Sequence, residues 1–160
     1  MAMFLLSEGV FFFMLLVAFV YFHPAPLPEL AFGAGAAFTA CLTASCFTMW
    51  RAAVSSTRDN ANAVRGWLAA TILLGAAFLV AQGDEYLRLF SYGTSEATLF
   101  ILAACHEVHV AAGILLLGSV FLFQAGEFRS IAVQTVALYW YFVTAVWIAI
   151  FSIVYLWAFL

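Results

Sequence analysis

The stretch Cys105-His106-Glu107-Val108-His109-Val110 lies inside an apolar run that extends from about Ala97 to Gln124. A second run, Leu138-Tyr139-Trp140-Tyr141-Phe142-Val143-Thr144-Ala145-Val146-Trp147, likewise sets polar groups among residues as apolar as lipid. Ionisable groups in hydrocarbon cost several kcal/mol or more, so they persist where a packed interior satisfies them. These two stretches therefore imply helices that cross a membrane with their polar groups turned toward one another.

The rest of the chain agrees with this reading. Of 160 residues, 68% are hydrophobic and 8% charged, and the mean hydropathy is +1.12. Soluble domains carry about a quarter of their residues as charges. A spanning helix needs roughly 20 apolar residues, and five stretches supply them: about 3–22, 30–50, 66–87, 97–124 and 131–160. The fold expected is all-α: a single five-helix membrane bundle over residues 1–160. No basic segment or A-x-A site precedes the first run, so no cleavable signal is expected. No internal repeat is present.

Breakers separate the spans. His23-Pro24-Ala25-Pro26-Leu27-Pro28 stops the first, because proline lacks an amide donor and drives its predecessor out of helix. Arg51 to Arg65 reads as a polar loop, Ser91 to Glu96 as a turn that caps the fourth span, and Gly126 as the break before the last. The loops after the second and fourth spans hold Arg51, Arg58, Arg65 and Arg129, against Arg88 alone on the other side. The positive-inside rule then places the N-terminus on the cytoplasmic or matrix side and the C-terminus outside. With no lysine and a net charge of −3, no nucleic-acid surface is expected. Cys41, Cys46 and Cys105 fall in apolar segments without metal-type spacing and read as packing residues. The small residues of the second span, Ala31, Gly33, Gly35, Ala36, Ala40 and Ala44, suit close helix packing. The 18 phenylalanines are scattered over every span and read as lipid contacts or bundle packing.

His106 lies about ten residues, some 15 Å, into its span, near the membrane midplane, and His109 follows three positions later on nearly the same face. Tyr141 sits at a similar depth on the next helix, so Tyr141 or Thr144 is expected to help satisfy a histidine. Three readings of the pair stay open: a structural hydrogen-bonded pair, proton handling, or a metal or haem site. A bis-histidine haem takes ligands from opposite faces, His23 is the one further histidine, and His106-Glu107-Val108-His109 is one residue short of H-E-x-x-H. No metal site is therefore expected. Glu8, in Ser7-Glu8-Gly9-Val10-Phe11-Phe12-Phe13, is a carboxyl among phenylalanines. It reads either as an acid hydrogen-bonded across the bundle or as a reactive, proton-linked carboxylate. Gln82, Asp84 and Glu85 close the third span at its outer end and read as an interfacial cap.

Taken in order, these motifs resemble subunit III of haem-copper terminal oxidases, the cytochrome c and quinol oxidases. The resemblance runs from Ser7 to about Trp157: Ser7-Glu8-x-x-Phe11-Phe12, the His23 to Glu29 turn, Gln82-x-x-Glu85-Tyr86, His106-x-x-His109-Val110-x-x-Gly113, and Tyr139-Trp140-x-Phe142-Val143-x-x-Val146-Trp147. It implies a subunit without redox centres that packs on catalytic subunit I and other respiratory subunits, binds phospholipid and supports proton uptake. Haem and copper are expected in the partner and none in this chain. It also implies that Glu8 is the carboxylate attacked by carbodiimides, with His106 and His109 as neighbours. The location implied is a bacterial plasma membrane rather than a mitochondrial inner membrane.

Departures from the family are also present. Members commonly have seven spans, and this chain resembles the last five. Tyr141 and Thr144 stand where many members have histidine and aspartate, Ala52-Ala53 replace a histidine pair, and Glu107 replaces a glycine. A family arginine falls on Phe123 or Gln124, which leaves Arg129 and Trp50 as lipid-contact candidates. The alternatives are a subunit of a quinol oxidase or nitric oxide reductase and, from another class, a small b-type cytochrome or quinone-anchoring protein.

Overall fold

The computed structural model describes residues 1–22, 32–58, 60–91, 97–123 and 129–156. They form five α-helices: α1 (Ala2–Phe22), α2 (Phe32–Thr57), α3 (Ala61–Ser91), α4 (Ala97–Leu122) and α5 (Arg129–Phe151). A π-helical turn, Ser152–Leu156, extends α5. The proline turn after α1, the residues 92–96 and Gly126 lie outside the described residues.

Four helices are long and apolar enough to cross a membrane, through Met3–Phe22, Ala61–Glu85, Leu99–Leu122 and Ser130–Val154. The fifth stretch read as a span lies in α2, whose glycines, alanines, serines and threonines lower its hydropathy. Helices α2 to α5 close a ring, α2 packing on α3 and α5, and α4 on α3 and α5; α1 lies outside it against α4 and α5.

Two boundaries differ from the sequence reading. The stretch Arg51 to Arg65 is mostly helical: α2 continues to Thr57 and α3 resumes at Ala61. In the extension the hydroxyls satisfy themselves on carbonyls of the preceding turn, Ser55 to Arg51 at 2.7 Å and Ser56 to Ala53 at 2.7 Å, while Asn60 Oδ1 caps the Ala63 amide at 3.1 Å and starts α3. At the other end α3 runs on to Ser91, so Gln82 to Tyr86 lie within the helix rather than closing it.

Trp140 holds the ring together. Its indole is fully buried, and its Nε1 donates to Ser45 Oγ of α2 at 2.9 Å. A Cβ on Gly75 of α3 would come within 2.6 Å of Trp140 Cη2, and one on Gly113 of α4 within 2.9 Å of Cζ3. Real side chains do not approach so closely, so both positions require glycine for this indole to sit where it does. One side chain of α5 thus meets three helices. Two turns later Trp147 Nε1 donates to Thr39 Oγ1 at 3.0 Å, a second α5 to α2 bond. Thr48 and Thr71 join hydroxyls at 2.8 Å between α2 and α3. In hydrocarbon such cross-helix bonds satisfy polar groups that water cannot reach.

Candidate functional site

Glu8 on α1 and His109 on α4 meet at the outer seam of the bundle, with Nε2 3.1 Å from Oε2. The other ring nitrogen, Nδ1, lies 2.6 Å from the Cys105 carbonyl one turn back. A carbonyl only accepts, so Nδ1 carries a hydrogen and donates it. In the neutral imidazole Nε2 is then an acceptor, and the hydrogen in the Nε2 to Oε2 contact must come from the Glu8 carboxyl. If the proton moves across, the contact becomes imidazolium and carboxylate. In both forms one proton lies between the two groups and the pair has no net charge, which suits an apolar setting.

The pair is not sealed. Glu8 retains 23% side-chain exposure and His109 19%. Both line a groove of about 550 Å³ together with Phe11, Ala104, Cys105 and Val108. The ring of Phe12 closes the inner side, edge-on to His109 at 5.0 Å. Tyr139 donates its hydroxyl to the His109 carbonyl at 3.1 Å, fixing α5 to the same turn of α4.

His106 faces a different way. Three helix positions rotate a side chain by about 300°, which leaves the two imidazoles about 60° apart and lets them diverge around Phe12. His106 is fully buried, stacked on Trp147 at 5.3 Å with an interplanar angle of 28°, and Phe78 meets it edge-on at 6.0 Å. Among the described residues neither of its ring nitrogens has a hydrogen-bond partner. The expectation that Tyr141 or Thr144 satisfies a histidine is not met. Thr144 Oγ1 donates to the Trp140 carbonyl at 3.1 Å and faces the Cys46 thiol at 3.1 Å. Tyr141 is two positions from Tyr139, which in a helix is nearly the opposite face, so Tyr139 is the tyrosine that reaches α4.

Gln82 is also buried, at 1% exposure, and among the described residues neither of its amide atoms has a hydrogen-bond partner, so its side chain turns into the bundle three residues before the candidate span ends at Glu85. Asp84 is exposed and Glu85 half-buried. Glu107 is half-buried, its Oε1 without a hydrogen-bond partner among the described residues, and it shares a groove between α3 and α4 with Asp84, Gly83 and Phe100. Trp50 is 50% exposed on the outer face of α2. Arg129 begins α5, but its side chain lies outside the described residues, as does Gln124. Among the described residues no group of three or more His, Cys, Asp or Glu side chains converges as a metal site. Sequence reasoning missed Ser45, Thr39 and Gly75; the small and polar residues of α2 and the glycine in the middle of α3 were the available signals.

Fold and site together define a multi-pass membrane protein whose interior acid and imidazole are paired with each other. The family model for cytochrome c oxidase subunit III matches residues 36–159, and the chain belongs to that family. It is 31% identical to the probable cytochrome c oxidase subunit 3 of Mycobacterium tuberculosis, over 94% of this chain and 83% of that protein. It is 35% identical to cytochrome c oxidase subunit 3 of Corynebacterium diphtheriae, over 73% of this chain and 62% of that protein. To cytochrome bo(3) ubiquinol oxidase subunit 3 of Pseudomonas aeruginosa it is 30% identical, over 74% of this chain and 61% of that protein.

Proposed function

We propose that this chain is the redox-silent subunit III of a bacterial haem-copper oxidase, docked on a catalytic subunit I that holds the haem and copper. The observation that carries the reading is the family match over residues 36–159. The pairing of Glu8 with His109 and the seating of His106 on Trp147 support it, because each group is engaged within the bundle and the two imidazoles face different neighbours. The chain's part in the oxidase is then structural and proton-linked: the shared proton at the groove contributes to proton uptake, and phospholipid fills the outer seams. The ubiquinol oxidase relative favours, as a second reading, a quinol-oxidising partner.

In this proposal all five helices span a bacterial plasma membrane. From Phe32 to Trp50, α2 covers about 28 Å at 1.5 Å per residue, close to the roughly 30 Å of a hydrocarbon core. The arginines around the turn from α2 to α3 and at the start of α5 favour an N-terminus inside and a C-terminus outside. The test is affinity purification of the tagged chain from its native membranes in mild detergent. A haem-copper catalytic subunit is expected to co-purify in a fixed ratio, and the donor that reduces the complex, cytochrome c or quinol, separates the two readings. Recovery of the chain with no oxidase subunit would overturn the proposal.

A further inference from the structure

The layer built around Trp140 repeats one heptad further along the bundle, with a difference. Seven residues are nearly two helical turns, about 10 Å of rise, and return a helix to within about 20° of the same face. Seven on from Trp140 and from Gly75, and seven back from Gly113 because α4 runs the opposite way, stand Trp147, Gln82 and His106. The ring contacts agree: Trp147 stacks on His106 at 5.3 Å, and Phe78, one turn before Gln82, meets both rings edge-on. Trp140 fills its own layer against two glycines. In the next layer an amide and an imidazole stand where those glycines were. Gln82 is 1% exposed and His106 0%. Among the described residues, neither amide atom of Gln82 and neither ring nitrogen of His106 has a hydrogen-bond partner. The polar groups nearest them in the ring are already engaged. Trp147 Nε1 donates to Thr39 Oγ1, and Thr39 gives its own hydrogen to the Gly35 carbonyl at 2.8 Å. Thr144 donates to the Trp140 carbonyl, and Tyr139 to the His109 carbonyl. Buried polar atoms are bonded in folded proteins, to ordered water where no side chain serves.

We propose that this layer is an internal water site, in which at least one water bridges the Gln82 amide and the His106 imidazole across the seam between α3 and α4. The amide offers two N–H donors and a carbonyl oxygen, and a neutral imidazole offers one N–H and one accepting nitrogen. A water accepts from an N–H on one side and donates to the acceptor opposite, and two to four such partners are what a buried water takes. An ion would meet no opposing charge among these four atoms, and an apolar occupant would leave all four unbonded, so water is the occupant. The inference rests on the packing of the ring and holds whichever oxidase the chain serves.

The experiment places the full chain, labelled with nitrogen-15 at histidine, glutamine and tryptophan, in lipid bilayers and follows polarisation transfer from water protons to nitrogen by solid-state NMR. The chain has three histidines, and His106→Gln identifies the His106 signals by their loss. Rapid transfer from water to His106 and to the Gln82 amide is expected. Gln82→Met keeps the length of the side chain without its amide and should weaken the transfer to His106 severalfold. Trp140 is the dry reference, because its indole is fully buried and bonded to Ser45. No transfer to His106 in the wild type overturns the inference, and that result needs no variant to fold. So does transfer to Trp140 as fast as to His106, which would be general penetration of water rather than a site. Undiminished transfer to His106 in Gln82→Met overturns it by leaving the amide outside the site, and a hydrogen-bond coupling between the Gln82 and His106 nitrogens overturns it by showing a direct bond.

Discussion

Replacing Gly75 with alanine should destabilise the bundle, against the usual sign for that change. In an ordinary helix glycine to alanine gains about 0.5–1 kcal/mol by restricting the unfolded chain. Here the new methyl would lie 2.6 Å from Trp140 Cη2 and 3.0 Å from Cζ2, inside van der Waals contact. The indole has little room to retreat, since the Gly113 backbone lies so close to its benzo ring that a Cβ there would come within 2.9 and 3.0 Å of it, and Ser45 holds its N–H. Overpacking of this kind costs about 1–3 kcal/mol, and a cross-helix bond in a membrane is worth about 0.6–1.7 kcal/mol. The net expectation for G75A is a loss of about 1–3 kcal/mol once the helix gain is subtracted. Gly66 and Gly118 provide controls, because nothing lies within 4 Å of a Cβ built on either. Unfolding of the purified protein in mixed micelles, followed by tryptophan fluorescence, should rank G75A well below wild type, with G66A and G118A at or above it. S45A isolates the hydrogen-bond part and should fall between. If G75A unfolds with G118A, the account of Trp140 as the pin of the bundle is wrong.

Glu8→Gln should leave the chain at normal abundance, because a glutamine amide can still donate to His109 Nε2, while labelling by a hydrophobic carbodiimide disappears; undiminished labelling of the variant rejects Glu8 as the reactive acid. His109→Leu should lower membrane abundance more than His106→Leu does, since the first strands Glu8 and the second removes a ring with no hydrogen bond to another described residue. Equal losses, measured by quantitative immunoblot, would reject that division. Trp147→Phe keeps an aromatic face on His106 but deletes the donor to Thr39, and a shift of about 0.6–1.7 kcal/mol in the same micelle titration is expected.

The helices and the candidate polar residues were readable from the sequence because both rest on local rules. Unbroken apolar runs name spanning helices, and an acid or imidazole inside one must be accommodated. The pairing of those groups was not readable in the same way. Tyr139 and Tyr141 differ by two positions at the same depth, and only the rotation of α5 against α4 decides that Tyr139 reaches the His109 carbonyl. Likewise Gln82 stands among Asp84 and Glu85 in the sequence, yet it turns inward because α3 continues to Ser91 and keeps its position within the bundle. The polar stretch after Trp50 looked like a loop by composition; it stays helical with Ala52 and Ser56 buried in the bundle and the Ser55 and Ser56 hydroxyls satisfied on carbonyls of the preceding turn. The site at Glu8 and His109 joins residues 101 positions apart. That neighbourhood followed from the family resemblance, while the sense of each hydrogen bond came from the geometry around Nδ1.

The central claim is that this chain contributes a packed, proton-sharing helical bundle and leaves electron transfer to another polypeptide. The reduced-minus-oxidised absorption spectrum of the chain, separated from its complex, tests that claim most directly. The account predicts haem bands in the intact complex that depart entirely with the catalytic subunit. Haem retained by the separated chain, and lost in His106→Leu or His109→Leu, would contradict it.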